Sequence, residues 1–171
     1  MTERPKARQR DQIDGLLSME GKLPPQAPEL EQAVLGAIMI NDDRGMAEVG
    51  DILRPEMFYV HAHQLIYGAM VRLYEKGQDI DILTVTMDLK ASGELDTVGG
   101  PFYVSQLTNK VAQSLHIQTH ALIVVQQYIA REAIRLNTEA ANKAYAGDDA
   151  FDVVESTIHD LEQSIAHNLK R

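Results

Sequence analysis

The stretch that decides the fold is ALIVVQQYIAREAIRLNTEAANKAYAGDDAFDVVESTIHDLEQSIAHNL, residues 121–169. Its apolar residues recur at spacings of three, four and seven, which is the periodicity of an α-helix. Ala146-Gly147-Asp148-Asp149 interrupts this pattern with a glycine typical of a helix C-terminus and an aspartate typical of an N-cap. The sequence therefore predicts two long helices joined by a short turn, an αα-hairpin.

The first of these two helices carries two apolar tracks, separated on the helical wheel by roughly 110–150°. The first track comprises Leu122, Ile129, Ala133, Leu136 and Ala140. The second track comprises Ile123, Ala130, Ile134, Ala141 and Tyr145. Because one track suffices for an intramolecular core, two tracks leave two interpretations open. The helix is either buried between helices of its own domain or placed at an interface with another protein.

The second hairpin helix carries a single heptad-like stripe of apolar residues. Its members are Phe151, Val154, Ile158, Leu161, Ile165 and Leu169. This spacing is typical of helices that pack along their length against other helices.

Helical patterns also fill the chain before the hairpin. We expect one helix from Glu29 with Leu30, Val34, Leu35, Ile38 and Met39 on one face, and a second helix closed by Pro55. Three more are expected: Ala62 to Lys76, Ile82–Ser92 with Asp81 as N-cap, and one that starts at Gly99-Gly100-Pro101. The β-branched segments 82–89 and 121–125 leave strands as an alternative there.

Inward-facing residues are expected in the two helices that lie between Asp81 and the hairpin. They are Leu83, Val85, Met87 and Leu89 in the first, and Phe102, Val104 and Leu107 in the second. The resulting fold class is all-α: a compact multi-helix head followed by a long C-terminal αα-hairpin. We predict a flexible tail over residues 1–23, a helical globular head over 24–113, and a hairpin over 114–169 that forms one structural domain with the head.

Composition excludes several classes of function. The 171 residues contain no cysteine, which excludes disulfides, Cys₄ zinc sites, iron–sulfur clusters and thiol catalysis. The net charge is −9, and residues 24–113 carry six basic against thirteen acidic side chains, so direct nucleic-acid binding is not expected. No apolar run is long enough to span a membrane, and the N-terminus has no signal-peptide pattern, so we expect a cytoplasmic protein.

No motif indicates catalysis or a cofactor. Gly15 to Gly21-Lys22 resembles a phosphate-binding loop only superficially, because the glycine spacing is six and Leu23 replaces the hydroxyl residue. The pairs His61/His63 and His116/His120 lack a third metal ligand at a usable spacing, and we interpret them as surface or capping histidines.

An ordered series of short motifs runs through the chain. It comprises Pro24-Pro25, Glu29, Glu31-Gln32-Ala33-Val34-Leu35-Gly36, Phe58-Tyr59, His63, Ile66-Tyr67, Gly77, Ile80-Asp81, Gly93-Glu94-Leu95, Val98-Gly99-Gly100, Tyr103, Ile123-Val124 and Arg131. In order and spacing the series resembles the N-terminal domain of the DnaB family of replicative DNA helicases, over roughly residues 24–165. The chain departs from the family pattern at Ala112-Gln113-Ser114-Leu115 and at His120.

The resemblance implies how the domain works. Hairpins pair between subunits, and the heads build a collar on a hexameric ring. ATP and Mg²⁺ belong to a RecA-like motor domain that this chain does not contain. The chain alone is then expected to hold no cofactor, to bind no nucleic acid directly and to be inactive as an enzyme.

The resemblance also implies docking of the C-terminal domain of a DnaG-type primase, with a helicase loader as a further candidate partner. The aromatic residue after the double glycine is Tyr103, and the hairpin-face isoleucine of the family falls on Ile134 of the second track. Packing of Tyr103 on its own domain is the alternative for that residue. The expected protein-binding residues, facing primase or a sister subunit, are Tyr103, Ile123, Ala130, Ile134, Ala141 and Tyr145.

A different class of function stays open on the residues alone. An unrelated helical DNA-binding regulator would need a basic recognition helix. The best helix offers Arg131, Arg135 and Lys143 against Glu132 and Glu139.

Overall fold

The fold was analysed in a computed structural model that describes residues 22–41, 43–109 and 116–168. The described residues form seven α-helices and one 3₁₀ turn, and they contain no strand. The elements are α1 (Pro28–Asn41), α2 (Asp43–Val49), the 3₁₀ turn (Pro55–Met57), α3 (His61–Glu75), α4 (Ile82–Ala91), α5 (Gly100–Asn109), α6 (Ile117–Ala146) and α7 (Ala150–Asn168). The all-α prediction is therefore confirmed, and the strand alternatives for 82–89 and 121–125 are wrong.

Helix α1 lies at the centre of the hydrophobic core. Its predicted apolar face is confirmed, because Val34, Leu35, Ile38 and Met39 are buried. Helices α2, α5 and α6 pack directly against α1, and α3 joins α1 to α4. Burial of these aliphatic and aromatic side chains removes apolar surface from water, which is the main term that stabilises the fold.

Three predicted helix ends carry the capping chemistry expected from the sequence. The Asp81 carboxylate accepts a hydrogen bond from the Thr84 backbone N–H at 2.8 Å, and the Thr84 hydroxyl accepts from the Asp81 N–H at 2.9 Å. Such a capping box satisfies two backbone donors at the start of α4. At the end of α6, Gly147 adopts φ 89°, a left-handed conformation that glycine reaches without strain. The Asp149 carboxylate then accepts from the backbone N–H groups of Phe151 and Asp152, as an N-cap does.

One predicted helix is shorter than expected. Helix α2 ends at Val49, Ile52 lies in the turn that follows, and Leu53 comes directly after that turn. Pro55 opens the 3₁₀ turn instead of closing a helix. Leu53 is nevertheless buried, although it lies outside a helix.

Three residues expected to face inward are exposed. On α4, Val85 and Leu89 are buried, whereas Leu83 and Met87 are exposed. On α5, Val104 and Leu107 are buried, whereas Phe102 is exposed. Neighbours two apart lie about 200° apart on a helix, so alternate residues cannot share one buried face.

Helices α6 and α7 form the predicted αα-hairpin and pack against each other. Leu136 of the first track is buried, and on α7 the buried residue is Val153, which does not belong to the predicted stripe. In the first half of α6, Ala121, Val124 and Val125 face the core, and Leu122 of the first track is exposed. Leu115, Leu169 and the Ile165 side chain lie outside the described part of the structure.

The predicted division into tail, head and hairpin stays a prediction. Residues 1–21 of the predicted tail lie outside the described residues, as does the predicted junction between head and hairpin at residues 110–115. In the described ranges, no helix is long and apolar enough to cross a bilayer.

Candidate interaction surface on the hairpin

The candidate site consists of two apolar surfaces on the half of the hairpin nearest its turn. The first part is a groove of about 630 Å³ between α6 and the segment that precedes α1. We call it the hairpin groove, and its apolar walls are Leu23, Pro24 and Pro25 on one side and Ile134, Ala141 and Tyr145 on the other. The second part is the α7 stripe, formed by Phe151, Val154 and Ile158.

The α7 stripe is open to solvent along its length. Phe151 is 85% exposed, Val154 is 58% exposed and Ile158 is 52% exposed. Val153, the residue that packs against α6, lies on another face of α7. Because contiguous exposed apolar residues are costly in water, such a stripe is typical of a surface that another protein covers.

Arg131 holds the hairpin groove in shape. One guanidinium nitrogen donates to the Pro25 carbonyl at 2.8 Å, and another donates to the Met57 carbonyl at 2.7 Å. The guanidinium also lies over the rings of Tyr59 and Tyr128, at 5.4 and 5.8 Å from their centroids. Burial lowers the pKa of Arg131, while the charge of nearby Glu31 opposes that shift. One side chain thus fixes the segment before α1, the 3₁₀ turn and α6 relative to one another.

The exposed charges on α6 form a short chain of ion pairs. Arg135 pairs with Glu132 at 2.9 Å and with Glu139 at 3.4 Å, and Lys143 pairs with Glu139 at 2.9 Å. The Glu132 carboxylate raises the pKa of Arg135, and the hydrogen bond from Lys143 lowers the pKa of Glu139. These pairs at three- and four-residue spacing stabilise the helix modestly.

A buried polar network joins three helices of the head. The Glu31 carboxylate accepts from the backbone N–H groups of Tyr59 and Val60 at 2.6 and 3.3 Å, just before α3 begins. Nδ1 of His63 lies 2.6 Å from the same carboxylate, and Nε2 lies 2.7 Å from the Tyr103 hydroxyl. The network joins α1, α3 and α5 through Glu31, His63 and Tyr103.

His63 therefore corrects the sequence-based interpretation. It is neither a surface nor a capping residue, since it is fully buried and hydrogen-bonded on both ring nitrogens. Spacing could not reveal this pairing, because Glu31 lies 32 residues earlier in the chain. The described residues contain no group of three or more acidic or histidine side chains placed to hold a metal ion.

The comparisons with known proteins decide the family. Residues 23–126 match the family model described as the DnaB-like helicase N terminal domain. The matched segment is more than half of the chain. This chain belongs to the DnaB-like helicase N-terminal domain family.

Relatives with a known function lie within the same family. The chain is 41% identical over 149 residues to the replicative DNA helicase DnaB of Rhodothermus marinus, covering 86% of this chain and 16% of that protein. It is 39% identical over 133 residues to the replicative DNA helicase DnaB of Geobacillus stearothermophilus, covering 78% of this chain and 29% of that protein. The chain thus spans less than a third of the length of these two relatives.

Solved structures agree with the DnaB assignment. The crystal structure of the N-terminal domain of DnaB helicase from Mycobacterium tuberculosis matches with a TM-score of 0.76 at 32% identity, covering 81% of this chain and 98% of that one. A DnaB-like replicative helicase, from a study of that helicase and its interactions with primase, matches with a TM-score of 0.66 at 26% identity. That match covers 79% of this chain and 30% of the other. The predicted resemblance is confirmed, and these matches do not favour an unrelated DNA-binding regulator.

The structure of this DnaB-type domain brings together part of the predicted site. Ile134, Ala141 and Tyr145 line the hairpin groove. Ile123 and Ala130 lie on α6, partly exposed and outside the groove lining. The assignment of all these residues to a protein-binding site stays a prediction.

Tyr103 lies apart from the groove, on α5. Its ring packs against the core and is stacked on His63 at a centroid distance of 6.1 Å, while its hydroxyl belongs to the buried network. Tyr103 therefore packs on its own domain, as the alternative interpretation expected. Its role in partner binding stays a prediction.

Two features of the site escaped sequence reasoning. Leu23, Pro24 and Pro25 form one wall of the groove, although a proline cluster signals only a boundary. Arg131 was noted in the sequence as a member of the motif series and as one of several basic residues on a helix, without a structural role. Its contact with Pro25 spans 106 residues, and no local pattern encodes such a distance.

Proposed function

We propose that this chain is the N-terminal collar and assembly domain of a replicative DNA helicase. It acts by binding: hairpins pair between subunits, and the domains build a collar on a homohexamer. The observation that carries the proposal is the α7 stripe, three large apolar side chains left open on a helix of a family member. Burial of such side chains at about 25 cal/mol per Å² gives pairing its driving force.

Self-association is tested by light scattering across a concentration series. We expect the wild-type chain to form dimers at micromolar concentration. Ile158→Asp introduces a charge into the α7 stripe and is expected to shift the equilibrium to monomer. The matched control is His159→Asp, which makes the same carboxylate at an exposed neighbour outside the stripe. A wild-type chain that stays monomeric at high concentration contradicts the proposal.

We propose further that the assembled collar docks the C-terminal domain of a DnaG-type primase, and a helicase loader is a further candidate partner. Two observations support docking: Ile134 is exposed on α6, and a relative of similar structure was studied together with primase. Ile134→Asp is expected to weaken primase binding, measured by calorimetry with the isolated primase domain. The control is Leu83→Asp, which makes the same kind of change at an exposed position of α4. The oligomeric state of both variants is measured in parallel, since α6 contributes to either interface.

We assign ATP hydrolysis, Mg²⁺ binding and DNA unwinding to a separate RecA-like motor domain, and the whole protein to the cytoplasm. The greater length of the matched helicases supports this division. The net charge of −9 also disfavours phosphate contacts by the collar domain itself. The test is a filter-binding and ATPase assay of this chain alone, for which we expect no salt-dependent DNA binding and no turnover.

A further inference from the structure

We infer that residues 13–19 of this chain, with the sequence IDGLLSM, occupy the hairpin groove of the same chain. The groove is then covered from within one copy, whereas the α7 stripe stays available to another molecule. The inference gives a place to part of the predicted tail, and it does not depend on the proposed pairing of hairpins.

The described part of the chain leaves the walls of the groove open. Leu23 is 82% exposed, Tyr145 is 74% exposed and Ile134 is 43% exposed. The space of about 630 Å³ between the walls lies within the range of cavities that enclose a compact ligand, about 300–1,000 Å³. A contiguous apolar surface around such a space is typical of a site that a further segment or protein covers.

The N-terminal segment joins the described chain at the groove itself. Lys22, the first described residue, is one of the residues that line the groove. Leu17 and Leu16 precede it by five and six residues. Six extended residues span about 20 Å, and the groove runs for about 21 Å along α6 from Arg131 to Tyr145. Both leucines can therefore reach the wall on α6 while the described fold stays as it is.

The short connection also favours the segment of the same chain over that of a second copy. A flexible linker of this length gives an effective concentration of about the millimolar range. A second copy at micromolar concentration is therefore at a disadvantage for the same groove. The entropy lost in closing so short a loop is also small, since this cost grows with loop length.

The composition of the segment matches the apolar walls of the groove. Residues 2–12 contain only Pro5 and Ala7 as apolar residues, whereas the next seven residues contain four large ones. These four are Ile13, Leu16, Leu17 and Met19. The first three are spaced at i, i+3 and i+4, which places them on one face if the segment is helical in the groove.

The charges on the two sides are complementary. The ionisable side chains that line the groove are Lys22, Arg131 and Arg135, and all three are basic. Arg135 is already paired on α6, so the free complement rests mainly on the other two. Asp14 lies within the segment and Glu20 directly follows it. Opposite charges of this kind orient a docked segment more than they strengthen its binding.

The docked segment would regulate access to the groove. Because Ile134 is one of the groove walls, a partner that binds this residue has to displace residues 13–19 first. This consequence alone rests on the proposed docking of primase, and docking of the segment itself is tested without primase.

The absence of cysteine allows a direct test by disulfide cross-linking within the full chain. One variant carries Ser18→Cys, which keeps the four apolar residues, together with Asn142→Cys at an exposed position that lines the groove. The matched control carries Ser18→Cys with Ala144→Cys, an exposed position at nearly the same height, roughly 160° around α6. Each variant is oxidised at low micromolar concentration, and a non-reducing gel separates disulfides within a chain from those between chains.

We expect the 18–142 disulfide to form within the chain at least tenfold faster than the 18–144 disulfide. Leu16→Ser with Leu17→Ser is expected to abolish this preference, whereas Gln9→Ser with Gln12→Ser keeps it. Equal rates at 142 and 144 would overturn the inference. Disulfides that form mainly between chains would assign the groove to the segment of a second copy, which also contradicts it. Neither result bears on hairpin pairing, which the Ile158→Asp variant tests separately.

Protection from a thiol reagent gives an independent measurement. In the chain with Asn142→Cys alone, we expect a maleimide to label the cysteine at least threefold more slowly than in the same chain with Leu16→Ser and Leu17→Ser. Labelling of Ala144→Cys is expected to be equal in both backgrounds, and circular dichroism checks that the fold is unchanged. Equal labelling of residue 142 in the two backgrounds would show that the segment does not cover the groove.

Discussion

The head and the hairpin bury their apolar residues in different ways. Around α1, large side chains such as Tyr67, Ile66 and Leu35 are fully enclosed, and buried polar groups such as Glu31 and His63 find partners within the chain. Along α7 and the second half of α6, large apolar side chains stay open to solvent. The head therefore satisfies these buried polar groups within one chain, and we propose that the exposed apolar face of the hairpin is covered by another molecule.

The largest difference between head and hairpin is expected when the buried Glu31–His63 network of the head is disrupted. Glu31→Ala removes the acceptor of the partly buried Tyr59 and Val60 N–H groups, and it leaves the buried Nδ1 of His63 without its partner. We expect the free energy of unfolding to fall by about 3–5 kcal/mol. Urea denaturation measures it, with exposed Glu48→Ala as a control that changes stability by less than about 0.5 kcal/mol.

The hairpin should respond in the opposite way. Phe151→Ala removes a side chain that is 85% exposed, so the unfolding free energy of the dilute chain should change by less than about 0.5 kcal/mol. Self-association should weaken by about 2 kcal/mol, or about 30-fold in Kd, as for a central interface aromatic. Analytical ultracentrifugation measures this change. A stability loss as large as that of a core residue would show that Phe151 packs within its own chain.

A smaller effect is expected at the start of α4. Asp81→Ala removes the capping box with Thr84 and should lower the unfolding free energy by about 1 kcal/mol. Thermal unfolding monitored by circular dichroism detects this loss, and Asp79→Ala, which lies outside the cap, serves as the control. Dimerisation should be unchanged, because the cap belongs to the head.

The smallest effect is expected from the exposed pair on α6. The hydrogen bond from Lys143 lowers the pKa of Glu139 below its ordinary value of 4.5. A lowered pKa in the folded state contributes stability above the ordinary pKa, and that contribution is lost as the pH falls through the lowered value. The thermal midpoint of the wild type should thus fall slightly more below pH 4.5 than that of Glu139→Gln, at low ionic strength.

Sequence periodicity and capping residues encoded most of the fold. Asp81, Gly147 and Asp149 act at helix ends through neighbours within four residues, so each boundary could be predicted locally. Leu83, Met87 and Phe102 were wrongly predicted to be buried, because the identity of an apolar residue does not reveal which face of its helix is buried.

The candidate site was only partly predictable for a related reason. Ile134, Ala141 and Tyr145 share one helix face, and the second track therefore revealed them before the structure did. The opposite wall, Leu23 to Pro25, meets α6 only through long-range contacts such as that of Arg131. The pairing of Glu31 with His63 is hidden in the same way.

The hydrogen bond between Arg131 and Pro25 also determines how early in folding the groove can form. It closes a loop of 106 residues, and the conformational entropy lost in closing so long a loop disfavours its early formation. During synthesis, Leu23 to Pro25 leaves the ribosome long before residue 131 does. The groove can therefore form only after the helices of the head have been made, which delays any partner contact that uses it until the head can already fold.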